Sequence, residues 1–169
     1  MDPVIAVYPG TFDPITNGHL DIIHRAMRIG VSCLIVAIGV NPRKSPLFDA
    51  QDRREFVKEA TRNMVDVRVT TFDGLLVDLC RTTGATLIIR GLRAVSDFEF
   101  ELALAQGNHD LDVSEASPRG IETVFLPTRA ESAFLSSSMV REIASHGRSV
   151  ERYAPPSVAR ALARRFPSK

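Results

Sequence analysis

The sequence predicts an α/β fold: a single Rossmann-like, doubly wound domain with a five-stranded parallel sheet and helices on both faces. Short apolar runs recur five times along the chain, and the segments between them repeat their apolar residues with helical spacing. The loop after the first run is filled with glycine, proline and hydroxyl residues and leads straight into a helix. Strands that alternate with helices return to the same sheet by right-handed crossovers, which makes them parallel and covers both faces.

Val4, Ile5, Ala6 and Val7 form the first strand, and Leu20, Ile23, Ala26 and Met27 mark one face of the helix after it. Residues 33–40 (CLIVAIGV) read as a second strand, apolar enough to be buried on both sides. Two prolines, Pro42 and Pro46, break it. A helix is expected from near Asp49, an N-cap with Asp52 in the first turn, carrying Phe56, Val57 and Ala60 inward. Val65, Val67 and Val69 alternate as the third strand, and residues 75–83 form a short helix closed by Gly84. Leu87, Ile88 and Ile89 make the fourth strand, followed by a helix marked by Phe98, Leu102 and Ala105. The polar, turn-rich piece 112–120 (DVSEASPRG) reads as a surface loop before the fifth strand at Val124, Phe125 and Leu126. Val140, Ile143 and Ala144 mark another helix. The last helix, about residues 155–166, turns Val158, Ala161, Leu162 and Arg165 to one side.

At 169 residues the chain suffices for one well-buried core and is short for two, so residues 1–169 are expected to form one domain. No run approaches the roughly 20 apolar residues of a membrane span. Met1-Asp2-Pro3 enters the first strand without a basic region or cleavage site, which argues against a secretory signal and for the cytoplasm. Cys33 and Cys80 have no metal-ligand neighbours and read as two buried thiols. A formal net charge of +1 gives no global case for nucleic acid or membrane, so any anion site must be local.

That site is expected in residues 8–19, YPGTFDPITNGH. The first turn of a helix carries free N–H groups and a partial positive charge, Gly18 allows close approach, and His19 adds a directional donor. The same residues could instead make an ordinary turn with an ordinary first-turn histidine. The run is neither a P-loop nor a three-glycine dinucleotide fingerprint. In doubly wound sheets ligands bind beyond the carboxyl ends of the strands. That rule gathers Thr11 and His19, Lys44, Arg90 with Arg93, and the hydroxyls of Ser136, Ser137 and Ser138 at one edge, a basic cleft suited to a polyanion. Glu101, at i+4 from Asp97, is the acidic residue expected to look back at it. Asp13 reads as a turn former, and His24, His109 and His146 as surface residues.

Three blocks carry a resemblance: residues 8–19 with their T-x-G-H ending, RGLR at 90–93 followed by DFEFE, and FLSSSMVRE at 134–142. They resemble the bacterial phosphopantetheine adenylyltransferases, in order and with near-matching spacing from about Val4 to the final helix. T-x-G-H alone is shared by the wider nucleotidyltransferase superfamily and by class I aminoacyl-tRNA synthetases; RGLR with DFEFE is far more specific. The resemblance implies transfer of AMP from ATP to 4′-phosphopantetheine with Mg²⁺, giving dephospho-coenzyme A and pyrophosphate, in a homo-hexamer. It implies that His19 stabilises the transition state and that Thr11, Lys44, Leu76 and Arg90 meet phosphopantetheine. It also implies an ATP site of Thr11, Phe12, His19, Gly91, Leu92, Arg93, Glu101, Ser132, Ala133, Phe134, Leu135, Ser136, Ser137 and Ser138, with no metal ligand from a protein side chain. Leu76 replaces a methionine of some relatives, and the 112–120 loop is several residues longer than usual. Related acceptors, nicotinamide mononucleotide or glycerol phosphate with CTP, are disfavoured by the RGLR–DFEFE block. A synthetase would need a second domain, and a non-catalytic nucleotide sensor would not need Lys44 and Arg90 facing a second anion.

Overall fold

The first apolar run becomes the middle of a sheet because both of its faces are covered. A computed structural model describes residues 3–41, 45–113 and 120–167. Its strands are β1 (Ile5–Gly10), β2 (Cys33–Gly39), β3 (Val67–Phe72), β4 (Leu87–Leu92) and β5 (Glu122–Pro127). They form one parallel sheet in the order β3-β2-β1-β4-β5, with Val7 level with Ile35 on one side and Ile88 on the other. The helices are α1 (Asn17–Arg28), α2 (Ala50–Thr61), α3 (Leu76–Thr83), α4 (Val95–Asp112), α5 (Ser137–Ser145) and α6 (Pro156–Arg165), with a 3₁₀ turn at Ala130–Ser132.

Alternation along the central strands divides the core. Ala6, Tyr8, Leu34, Val36 and Ile38 face one layer with Ile22 and Ile23 of α1, Val57 of α2, Val140 of α5 and Leu162 of α6. Val7, Ile35, Ala37 and Ile88 face the other, closed by Val77 and Cys80 of α3 and by Ile121. Helix ends follow the side chains present. Asp49 caps α2 by accepting from Asp52 N–H, and Gly84 ends α3 in the left-handed conformation. α6 starts at a proline, whose missing N–H is no loss in a first turn, and packs on α2 and α5.

Several expectations are corrected. The third strand starts at Val67; Val65 stands 93% exposed, in a turn where Val67 N–H bonds Met64 O. The fourth strand runs on to Leu92, so Arg90, Gly91 and Leu92 are strand residues opposite Phe125, Leu126 and Pro127. α4 has no fully buried apolar stripe: Phe98 is exposed, Leu102 and Ala105 are only half-buried, and Val95, Phe100, Leu104 and Leu111 are also exposed. Asp112 does not belong to a surface loop. It ends α4, is buried, and accepts from Arg81 Nε at 2.8 Å. Residues 114–119 of that loop lie outside the described residues. Cys80 is buried as expected, and burial, with Asp112 adding to it, pushes its thiol up to about 12; Cys33 is only half-buried.

Candidate functional site

β1 and β4 are neighbours, yet the helices that follow them leave to opposite faces, α1 into one core layer and α4 beside α3 on the other. At such a switch point the carboxyl ends of adjacent strands open a crevice. Here the crevice is a cleft of about 300 Å³.

Its floor is the loop from β1 to α1. Phe12 sits at φ +48°, a conformation costing a non-glycine residue about 1 kcal/mol. The turn lays its buried ring over Gly10, where a Cβ would fall 2.8 Å from the ring. The same ring meets Tyr8 edge-on at 5.4 Å and the His19 imidazole at 5.1 Å. Gly91 of β4 lies against α1, where a Cβ would stand 3.2 Å from Ile22. Burial holds the Tyr8 phenol well above its ordinary range, against the pull of Arg90 and Arg93, so it lines the cleft as a neutral hydroxyl.

The T-x-G-H ending proves to be a capping box. Thr16 is the N-cap of α1 and accepts from His19 N–H, while His19 Nδ1 accepts in return from Thr16 N–H at 3.0 Å. Glutamate or glutamine usually makes that reciprocal bond; here an imidazole makes it. The consequence is chemical. With Nδ1 an acceptor, also 2.9 Å from Thr16 Oγ1, the neutral ring carries its proton on Nε2. Desolvation, and after it the charge of Arg93, lower the His19 pKa to about 4. His19 is therefore a neutral donor at neutral pH.

Two helix N-termini border the cleft. α5 starts at Ser136, whose hydroxyl accepts from Met139 N–H. Among the described residues the amides of Gly18 in α1 and of Ser137 and Ser138 in α5 have no acceptor, and all three residues line the cleft. Free first-turn amides favour anions. Arg90 is held from behind: Nε and Nη2 donate to the two carboxylate oxygens of Glu101, each at 2.6 Å, and Nη1 donates to Pro9 O at 3.0 Å. Of its five N–H groups, two are left without a partner among the described residues. Arg93 is half-exposed at the rim and pairs with Asp97 at 3.3 Å.

Thr11, Phe12, His19, Arg90, Gly91, Arg93, Leu135, Ser136, Ser137 and Ser138 thus share one cleft. Leu92, Glu101, Ser132, Ala133 and Phe134 do not line it. Glu101 stands behind Arg90, and Phe134 is exposed, edge-on to Tyr153. Leu76 opens α3 next to a second hollow of about 780 Å³, which Thr11, Asn41, Pro46 and Leu75 help to line. Thr11 borders both spaces. Lys44 lies outside the described residues, between Asn41 and Pro46. Tyr8, Ile22 and Thr128 also line the main cleft, and Asp13, Arg53 and Arg141 hold its loop; Tyr8 and Asp13 fall in the expected 8–19 stretch, but none of the six was singled out as a site residue. Arg141 lies in the FLSSSMVRE block, and Arg53 left a trace as a charge on the inward stripe of α2 with Val57 and Ala60.

Residues 7–143 match the family model described as cytidylyltransferase-like. The chain is 50% identical over 165 residues to the phosphopantetheine adenylyltransferase of Alkalilimnicola ehrlichii, covering 96% of this chain and 91% of that one. Against the enzymes of the same name from Heliobacterium modesticaldum and Thermodesulfovibrio yellowstonii, identity is 49% and 50%. Those matches cover 96% and 95% of this chain, and 92% and 96% of theirs. Among solved structures, the nicotinic acid mononucleotide adenylyltransferase of Plasmodium falciparum complexed with NaAD superposes with a TM-score of 0.68 at 16% identity. That superposition covers 97% of this chain and 96% of the other, a likeness of fold.

Proposed function

Because the chain belongs to the phosphopantetheine adenylyltransferases, within the cytidylyltransferase-like family, we infer that its cleft brings two anions together. It transfers the adenylyl group of ATP to 4′-phosphopantetheine, giving dephospho-coenzyme A and pyrophosphate, a step of coenzyme A biosynthesis. One observation carries this reading: a neutral His19 with Nε2–H as donor shares a cleft with two helix N-termini and with an arginine two of whose N–H groups have no partner among the described residues.

The acceptor phosphate is itself the nucleophile, so no general base is needed; positioning and charge stabilisation suffice. One of its oxygens bonds to the α-phosphorus as the bond to the bridging oxygen of pyrophosphate breaks. Arg90 and Lys44 hold the acceptor phosphate against repulsion by the triphosphate, and Leu76 borders the arm that carries it. Thr11 stands where the substrates meet, since it borders both hollows. The amides of Gly18, Ser137 and Ser138, with Arg93 and Ser136, hold the triphosphate. Phe12, Gly91, Leu92, Glu101 and residues 132–135 complete the nucleotide side. His19 donates through Nε2–H to the α-phosphate as charge moves toward pyrophosphate.

Mg²⁺ fits as an ion carried on the triphosphate. The carboxylates at the site, Asp13 and Glu101, are engaged by Leu47 and Phe48 N–H and by Arg90, and no group of three or more His, Cys, Asp or Glu gathers among the described residues. Arriving with ATP, such an ion would supply neutralisation of phosphate charge. The enzyme works as one nucleotidyltransferase domain in a cytoplasmic homo-hexamer. The exposed apolar side chains of α4 support assembly, since faces of that kind favour a cover. No helix among the described residues is long and apolar enough to cross a membrane.

Pyrophosphate release tests the reading. ATP with phosphopantetheine should turn over, and nicotinamide mononucleotide with ATP, or glycerol phosphate with CTP, should not. Turnover with either of those and none with phosphopantetheine would overturn the acceptor assignment.

A further inference from the structure

We propose that Asp13 is a positioning residue that couples the acceptor side of the cleft to its nucleotide side, an inference that rests on the reading above for the naming of the two sides. An aspartate that only shapes its turn bonds backbone about two residues on. Asp13 does not. It is 5% exposed, and its carboxylate accepts from Leu47 N–H at 2.8 Å and Phe48 N–H at 2.9 Å, partners 34 and 35 residues away. Those amides lie just beyond Lys44 and just before α2, and the buried Phe48 ring packs edge-on against Phe56 at 4.9 Å. The backbone at Leu47 and Phe48, three and four residues after Lys44 in sequence, is therefore pinned to the loop between β1 and α1.

The other side of Asp13 faces α5. Its backbone carbonyl accepts from Arg141 Nη1, which also lies 3.4 Å from the carboxylate, and Arg141 Nη2 donates to Ser138 Oγ at 3.2 Å. One residue along, Ser137 Oγ donates to Pro14 O at 2.8 Å. The α5 N-terminus, the phosphate loop and the Leu47–Phe48 backbone are thus joined through one carboxylate and one guanidinium. Arg53 anchors the start of the same loop: it is 3% exposed, and its Nη1 donates to Thr11 O at 2.7 Å and to Gly39 O at 3.1 Å. A loop whose carbonyls are held by side chains of two helices transmits a shift of either helix rather than absorbing it. For a reaction that depends on in-line approach, displacement by about 1 Å is enough to lower the rate by as much as 10²-fold.

The test uses Arg141, whose side-chain bonds among the described residues go to Asp13 and Ser138 and whose side chain is 34% exposed; methionine keeps most of its aliphatic stem. Steady-state constants for both substrates and hydrogen exchange at the Leu47 and Phe48 amides are measured for wild type, Arg141→Met, Arg141→Lys, Asp13→Asn and the Asp13→Asn/Arg141→Met pair. Arg141→Met should raise the KM for phosphopantetheine about tenfold and speed exchange at both amides. Arg141→Lys should recover part of each, and the double variant should be no worse than the worse single one, as expected of groups acting through one link. If Arg141→Met changes only the ATP constants and leaves Leu47 and Phe48 exchange as in wild type, the coupling is wrong. Strict additivity of the two substitutions would also overturn it. Should Asp13→Asn fail to fold, Arg141→Met and Arg141→Lys decide alone. Wild type inactive on phosphopantetheine, with Arg141→Met still loosening both amides, would sink the substrate assignment while supporting the mechanical link.

Discussion

At Nδ1, His19 closes the cap of α1; at Nε2 it carries the N–H proposed to donate to the α-phosphate. The two duties can be separated. His19→Ala should lower turnover by roughly 10²–10³-fold, the usual effect of losing one donor aimed at developing charge. It should also remove a cap worth about 1 kcal/mol, seen as a melting temperature a few degrees lower. His19→Gln keeps a side chain suited to the third position of a capping box, so its melting temperature should stay near wild type while turnover falls. Near-normal turnover in both variants would remove His19 from the mechanism. The lowered pKa has a signed consequence. Above pH 6.5 the ring is neutral in the folded and unfolded chains alike; between about 6.5 and 4 the unfolded chain takes up a proton that the folded one refuses. Stability should therefore fall on acidification through that window, and His19→Gln should remove part of the slope in denaturation free energy between pH 7 and pH 5. At this scale the sequence disclosed Thr16, Gly18 and His19 because they are contiguous. It hid Asp13, Arg53 and Arg141 because their partners lie up to 128 residues away and no local pattern marks such bonds.

Among the elements, the segments leaving the strands divide the work. Arg90 of β4 and Lys44 after β2 are assigned to the acceptor, the N-termini of α1 and α5 to the triphosphate. Arg90→Ala and Lys44→Ala should each raise the KM for phosphopantetheine tenfold or more, in keeping with about 1.5–3 kcal/mol for a charge-assisted contact, while ATP affinity measured by calorimetry stays close to wild type. Equal losses for both substrates would refute the division. Arg90→Ala should in addition lower the melting temperature, because it strands the half-buried Glu101 carboxylate without its partner. Strand and helix order was legible because both faces of the sheet demand apolar runs and the helices between them need one apolar side. Two boundaries were not. Alternation at Val65, Val67 and Val69 does not distinguish a strand residue from a turn residue ahead of it, and the turn bond from Val67 N–H to Met64 O decides it. In α4 apolar residues stand on every side, so the spacing of Phe98, Leu102 and Ala105 marked the helix but not a buried face, and Phe98 is exposed.

For the whole molecule, the order β3-β2-β1-β4-β5 explains why residues from opposite ends of the chain meet: the switch between β1 and β4 opens one crevice, and α5 returns to border it. Val113 and Gly120, which flank the longer connection before β5, do not line that crevice. Shortening it within residues 114–119, with Asp112 kept for its bond to Arg81, should leave turnover unchanged. Collapse of turnover in a folded variant would place the loop in the site. Cutting back through Asp112 should instead destabilise the chain, since the end of α4 would lose its charge-assisted bond from Arg81 Nε.

In the proposed reaction this cleft aligns a phosphate nucleophile for one direct displacement at the α-phosphorus, with His19 as a donor and never as the attacking group. The stereochemical course tests it most directly, using ATP that is chiral at a sulfur-substituted α-phosphorus. A single in-line displacement predicts inversion of configuration in the dephospho-coenzyme A formed. Retention would mean two displacements through an adenylylated side chain, and would contradict the account.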